Sequence, residues 1–100
     1  MLPSDCIRKG WCQRYFAIDA SGRSVPAWHA TACAWCFKGA VYASYRYWSD
    51  MQRYLNAAED HVGYVDLWND TYNRTQADVL ALCLLVEREL NLIEGGQVHA

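Results

Sequence analysis

Cys33-Ala34-Trp35-Cys36 is the spacing in this chain that most resembles working chemistry, because two thiols three residues apart can hold zinc or exchange as a redox pair. Cys6, Cys12 and His29 are the residues that could complete a zinc site. A second tight ligand pair is missing, however, and the alanine-rich surroundings read as helix. Thiols three apart face roughly one side of any helix, whatever their role. Free cysteine is also among the most buried residue types. The five cysteines therefore read first as core residues, and no metal or other cofactor is assigned. An odd count in a reducing compartment argues against structural disulfides.

Acid–base chemistry has few carriers. His29, His61 and His99 are the histidines, and none sits in a recognisable nucleophile motif. Asp66 and Asp70 are four apart and flank Trp68, which could make a carboxylate pair, although such residues more often cap turns and helix starts. The chain has no phosphate-cradling glycine loop and no Gly-x-Ser-x-Gly elbow. No catalytic residue is assigned, and an enzyme is the less favoured class.

Recognition chemistry is better supplied. The chain carries five Trp, seven Tyr and two Phe in 100 residues, several of them in polar settings such as Tyr45-Arg46-Tyr47-Trp48. Tyr, Trp and Arg combine large contact area with a polar handle, which is why they recur in interface hot spots. The segment Trp68-Asn69-Asp70-Thr71-Tyr72-Asn73-Arg74 reads as a rigid, surface-presented polar loop pinned by one large ring. Tyr45, Tyr47, Trp48, Trp68, Asn69, Asp70 and Arg74 are the candidate binding residues.

These residues must be positioned by a small core. One hundred residues, 53% hydrophobic and 20% charged, suit one globular domain spanning 1–100. The net charge of −2 argues against nucleic acid as the main partner, since phosphate neutralisation normally demands a basic excess. No apolar run reaches bilayer length, and the first residues lack a signal-peptide pattern, so a cytoplasmic setting without membrane contact is expected.

Along the chain, Pro3-Ser4-Asp5 starts a short helix that Gly10 ends with a left-handed cap. Residues 14–19 and 23–25 read as a hairpin around Ala20-Ser21-Gly22, stopped by Pro26. From Ala27 to about Trp48 the composition predicts one long helix. A Ser49/Gln52 capping box opens the next, with Met51, Leu55, Ala58 and Val62 as its stripe and Gly63 as its end. Thr75 with Asp78 caps the last helix, which runs to about Ile93 and is apolar on nearly every side. The expected fold is α+β and mostly helical: three to four helices around a buried C-terminal helix, with one small β-hairpin near the N-terminus. Residues 94–100 read as a frayed tail.

The order Gly10-Trp11, Gln13, Asp19 with Gly22, Cys36 with Gly39-Ala40, Trp68-Asn69-Asp70, Arg74-Thr75 and Val79-Leu80 resembles a family of small bacterial and phage proteins of unknown function. The match covers most of residues 10–90. The first helix is shorter and the aromatic load higher than in that pattern. The resemblance implies the fold and a cytoplasmic setting, and it brings no activity with it. The function expected is a small binding protein that uses an aromatic and arginine-rich surface on a protein partner. A phage-type inhibitor of a host complex, such as an anti-CRISPR, is the concrete version. The alternatives are a small-ligand or catalytic protein built on the Trp-Asn-Asp loop, or an obligate homo-oligomer.

Overall fold

A computed structural model describes residues 1–92. Five helices and a three-stranded sheet near the N-terminus make an α+β, mostly helical fold. Ile93 as the last residue of the helix and a frayed tail at 94–100, both expected above, lie outside the described residues.

Helix α1 (Pro3–Lys9) begins as its sequence suggests. Pro3 supplies a fixed φ where no N–H is needed, and the Asp5 carboxylate accepts the Leu2 N–H at 2.8 Å. Its other end differs from expectation. Gly10 is extended (φ 179°) rather than left-handed. Glycine is needed there for space, because a Cβ would stand 2.3 Å from the Cys33 carbonyl oxygen.

The hairpin forms around the expected turn, but its strands are shorter than the expected 14–19 and 23–25, with β1 (Ala17–Ile18) antiparallel to β2 (Ser24–Val25). Asp19 ties its turn by accepting from the Ser21 hydroxyl at 2.7 Å and the Arg23 N–H at 3.0 Å, while Gly22 takes φ 86°. A third strand, β3 (Ala34–Trp35), adds to the other side of β1, giving the order β2-β1-β3.

That strand is where the long-helix expectation fails. Residues 27–33 form turns, and the helix α2 covers only Phe37–Ser44. Alanine content favours helix locally, but β1 offers Ala34 and Trp35 a ladder, and the Trp35 Nε1–H reaches the Ala27 carbonyl at 2.9 Å. Tertiary pairing overrides a weak propensity. Cys33 and Cys36 consequently flank a strand, not a helix turn: Cys33 is exposed, while Cys36 is buried and caps α2 by accepting the Gly39 N–H at 3.2 Å. The two thiols do not share a face.

Helix α3 (Trp48–Val62) starts one residue before Ser49, so the Ser49/Gln52 box does not form, and Gln52 instead donates to Asn56. Its stripe is Tyr54, Leu55 and Ala58, with Met51 and Val62 half-buried. Gly63 ends it with φ 76°, as expected. A short helix α4 (Val65–Asn69) follows where a loop was expected.

The Thr75–Asp78 capping box does form at the start of α5 (Gln76–Glu89), with Asp78 N–H to Thr75 Oγ1 at 3.1 Å and Thr75 N–H to Asp78 Oδ2 at 3.0 Å. Val79, Leu82, Cys83 and Val86 bury their side chains, whereas Ala81 and Leu84 face outward. Glu87, which reads as a surface charge, is buried too. It accepts the Ser4 N–H and hydroxyl at 3.0 and 2.6 Å and the Tyr54 hydroxyl at 2.7 Å. That carboxylate ties α5 to the first turn of α1 and to α3, supplying partners for N–H groups that every helix start leaves open.

Candidate binding surface around the fourth helix

Asn69 is the residue on which the site is built. It ends α4 and is almost wholly buried, and its amide bonds distant segments as well as its neighbour Asp70. Oδ1 accepts from Trp11 Nε1 at 2.9 Å and from the Phe37 N–H at 3.0 Å. Nδ2 donates to the Cys12 carbonyl at 3.2 Å and to Asp70 Oδ1 at 3.0 Å. Its own carbonyl accepts from Gln13 Nε2 at 3.0 Å, and Gln13 also reaches the Thr71 carbonyl. One side chain thus joins residues 11–13, the start of α2 and the end of α4. All four of its hydrogen-bonding positions are used.

The arm at residues 11–16 is held in an unusual path by this node. Arg14 has φ 75°, a left-handed conformation that non-glycine residues adopt only when their surroundings impose it. Its N–H donates to Asp70 Oδ1 at 2.9 Å. Beyond it, the Phe16 carbonyl accepts the Cys36 N–H at 3.2 Å and lies against Gly39, where a Cβ would come within 1.8 Å of that oxygen. Tyr15 and Phe16 are left about half exposed, and the Phe16 ring rests on Tyr42 at 5.4 Å between centroids.

A cleft of about 320 Å³ opens between the arm and α4, with Arg14, Tyr15, Phe16, Asp66 and Asp70 among its walls. Cys36 and Asn69 also contribute to the lining. Asp66 pairs with Lys38 at 3.3 Å through Oδ2. The Asp66/Asp70 pair seen in the sequence therefore does come together on one cleft, while each carboxylate also does structural work.

The thiols nearby are poor nucleophiles. Burial, with the neighbouring Cys36 next in weight, pushes the Cys12 thiol up to about 12. Burial likewise raises Cys36 to about 11. Among the described residues, no group of three or more His, Cys, Asp or Glu is placed to hold a metal ion.

The outer side of α4 is apolar and open. Tyr64, Leu67 and Tyr72 are 76%, 70% and 89% exposed. The same segment is firmly tied: Arg74 lies 4.2 Å above the Trp68 ring and donates to the Trp68 carbonyl at 2.8 Å, and Thr71 Oγ1 donates to the Leu67 carbonyl at 2.8 Å. Asn73 takes φ 69° to turn the chain.

The candidate residues thus fall into four groups. Trp68 and Arg74 stack on each other beside the exposed Tyr72. Asn69 is an internal tie and Asp70 a cleft wall that pins the arm. Tyr45 is not a surface ring: it packs half-buried against the core, 6.0 Å from the Tyr54 ring, with its hydroxyl buried and unbonded among the described residues. Tyr47 and Trp48 are exposed, but Trp48 opens α3 and Tyr64 follows its end, so the length of a 15-residue helix, about 21 Å, separates these patches. Sequence reading did not place Tyr15, Phe16, Tyr64 or Leu67 among the candidate binding residues. Tyr15 carries one local signal, its polar neighbour Arg14, whereas the other three look like core residues until the fold leaves them outside.

Among the described residues, no helix is long and apolar enough to cross a membrane. No match to the chain was found among curated proteins or among solved structures. One family model matches residues 6–88, a span that contains the arm, the Asn69 node and the whole of the cleft lining. The chain therefore belongs to DUF6197, a family of unknown function.

Proposed function

We propose that this protein is a small binding module that docks on a protein partner through the outer side of α4 and the Trp68–Arg74 turn. The observation that carries the reading is the exposure of Tyr64, Leu67 and Tyr72 on a segment whose backbone is pinned from beneath by Asn69, Thr71 and Arg74. Rings presented on a rigid base lose little entropy on binding, and aromatic and arginine side chains supply hot-spot contacts. The net charge of −2 favours protein over nucleic acid as that partner. A cytoplasmic inhibitor of a host complex, of the kind phages use against bacterial defence, is one form such a module takes. A second copy of the chain is the other occupant to be tested.

The experiment compares three chains: the wild type, a Tyr64→Ala/Leu67→Ala/Tyr72→Ala variant, and a Tyr47→Ala/Trp48→Ala variant. Each is used as bait in a host lysate, and each is sized by analytical ultracentrifugation. A stoichiometric protein lost only from the α4 variant supports the reading. Equal recovery on all three baits rejects it. A concentration-dependent dimer abolished by the α4 variant assigns the surface to self-association instead.

A further inference from the structure

The cleft between the arm and α4 has a charge pattern that the partner-binding reading does not use. On one wall the Arg14 side chain is exposed, and its guanidinium has no acidic partner among the described residues. On the other, Asp66 and Asp70 each commit one oxygen: Asp66 Oδ2 to Lys38, and Asp70 Oδ1 to the Arg14 and Asn69 N–H groups. Among the described residues, Asp66 Oδ1 and Asp70 Oδ2 remain available as acceptors. Tyr15 and Phe16 supply an aromatic wall, and Phe16 is backed by Tyr42.

These charges select among ligands. A simple cation drawn to the carboxylates would meet the charges of Arg14 and of Lys38 on Asp66, and a simple anion drawn to Arg14 would meet Asp70 and the Lys38-paired Asp66. A dipolar molecule satisfies both walls at once through charge-assisted hydrogen bonds. The volume, about 320 Å³, sits at the lower end of the roughly 300–1,000 Å³ typical of ligand pockets, which suits an amino acid. The backbones of the two walls are held together in advance, because the Arg14 N–H is bonded directly to Asp70 and Arg14 is held at φ 75°. We propose that this cleft binds a small zwitterion, an α-amino acid whose apolar or aromatic side chain lies against Tyr15 and Phe16. The proposal stands apart from the partner-binding reading, since it uses the cleft rather than the outer side of α4.

The test is a heteronuclear NMR titration of the full chain with L-phenylalanine, phenethylamine, phenylpropionate and N-acetyl-phenylalanine amide. L-Phenylalanine should shift the amide signals of Tyr15, Phe16, Asp66 and Asp70. Each singly charged analogue should bind about tenfold more weakly, the cost of one lost charge-assisted bond. Arg14→Gln and Asp66→Asn should weaken L-phenylalanine binding by a similar factor, with the melting temperature unchanged for Arg14→Gln. The Arg14 guanidinium has no acidic partner among the described residues, so its variant separates binding from folding, whereas Asp66→Asn also gives up the pair with Lys38. Absence of shifts at about 10 mM ligand overturns the proposal. Equal binding of the doubly blocked amide overturns it too, as does full retention of binding in both variants.

Discussion

Replacing Asn69 by alanine tests the node directly, and its cost follows from the bonds in hand. The substitution removes four side-chain hydrogen bonds. Two of the stranded groups, the Phe37 N–H and the Cys12 carbonyl, lie in buried surroundings. Phe37 is also the first residue of α2, where no backbone carbonyl is available to replace the lost acceptor. An unsatisfied buried group costs about 1–3 kcal/mol. The Trp11 and Asp70 ends are part-buried and can turn towards water, so each costs less. The expected loss is about 4 kcal/mol, a large share of the roughly 5–15 kcal/mol that holds a domain of this size. Melting should fall by roughly 15–30 °C. Urea unfolding followed by far-ultraviolet circular dichroism measures it, with an unchanged m-value showing that the unfolding unit is the same. Trp11→Phe, which deletes only one of the four bonds, should couple to Asn69→Ala by about 1 kcal/mol in a double-mutant cycle. A loss under about 1 kcal/mol for Asn69→Ala would mean that water takes over the amide's role, and the node would no longer explain why the arm is held.

Three further outcomes follow. Gly39→Ala should destabilise by about 3 kcal/mol or more, read by chemical denaturation, because the new Cβ falls 1.8 Å from the Phe16 carbonyl oxygen. Helix propensity alone predicts the opposite sign, a gain of about 1 kcal/mol, so the direction decides between the two accounts. In a thiol-reagent assay at about pH 8, the folded chain should release one fast equivalent from the exposed Cys33 and the denatured chain all five, and fast labelling of Cys36 would contradict its burial. The Asp19 carboxyl is lowered to about 2, first by the Ser21 hydroxyl and then by the Arg23 N–H. A lowered carboxyl stabilises the fold above its unfolded value of about 3.9 and loses that contribution as pH falls through the folded value. Side-chain NMR titration of Asp19 should thus give a midpoint well below about 3.9, and a normal midpoint would mean that the turn bonds are absent in solution.

Features written in neighbouring residues were legible in advance. The Pro3 helix start, the hairpin across Asp19–Gly22, the Gly63 stop and the Thr75–Asp78 box each need only a few adjacent side chains and backbone groups. The mostly helical α+β class came from the same local patterns. The residues carrying the family resemblance were legible as a pattern but not as a mechanism. Trp11, Gln13, Cys36, Gly39, Asn69 and Asp70 look unrelated along the chain, yet they meet where the arm crosses α2 and α4, while Gly10 lies against β3.

By itself, the sequence determined the Pro3 and Thr75 helix starts, the Asp19–Gly22 turn and the Gly63 stop, although the equally local Ser49/Gln52 box and left-handed Gly10 cap did not form. Only the tertiary structure decided what the alanine-rich stretch after Pro26 became, because β1 was free to accept Ala34 and Trp35 as a third strand. It also decided that Glu87 and Asn69 would be internal ties while Tyr64 and Leu67 stayed outside. Burial and long-range hydrogen bonding depend on which segments come to face one another. No residue's type states that in advance: a carboxylate can be buried when three donors meet it, and a leucine is exposed when nothing in its own chain covers it.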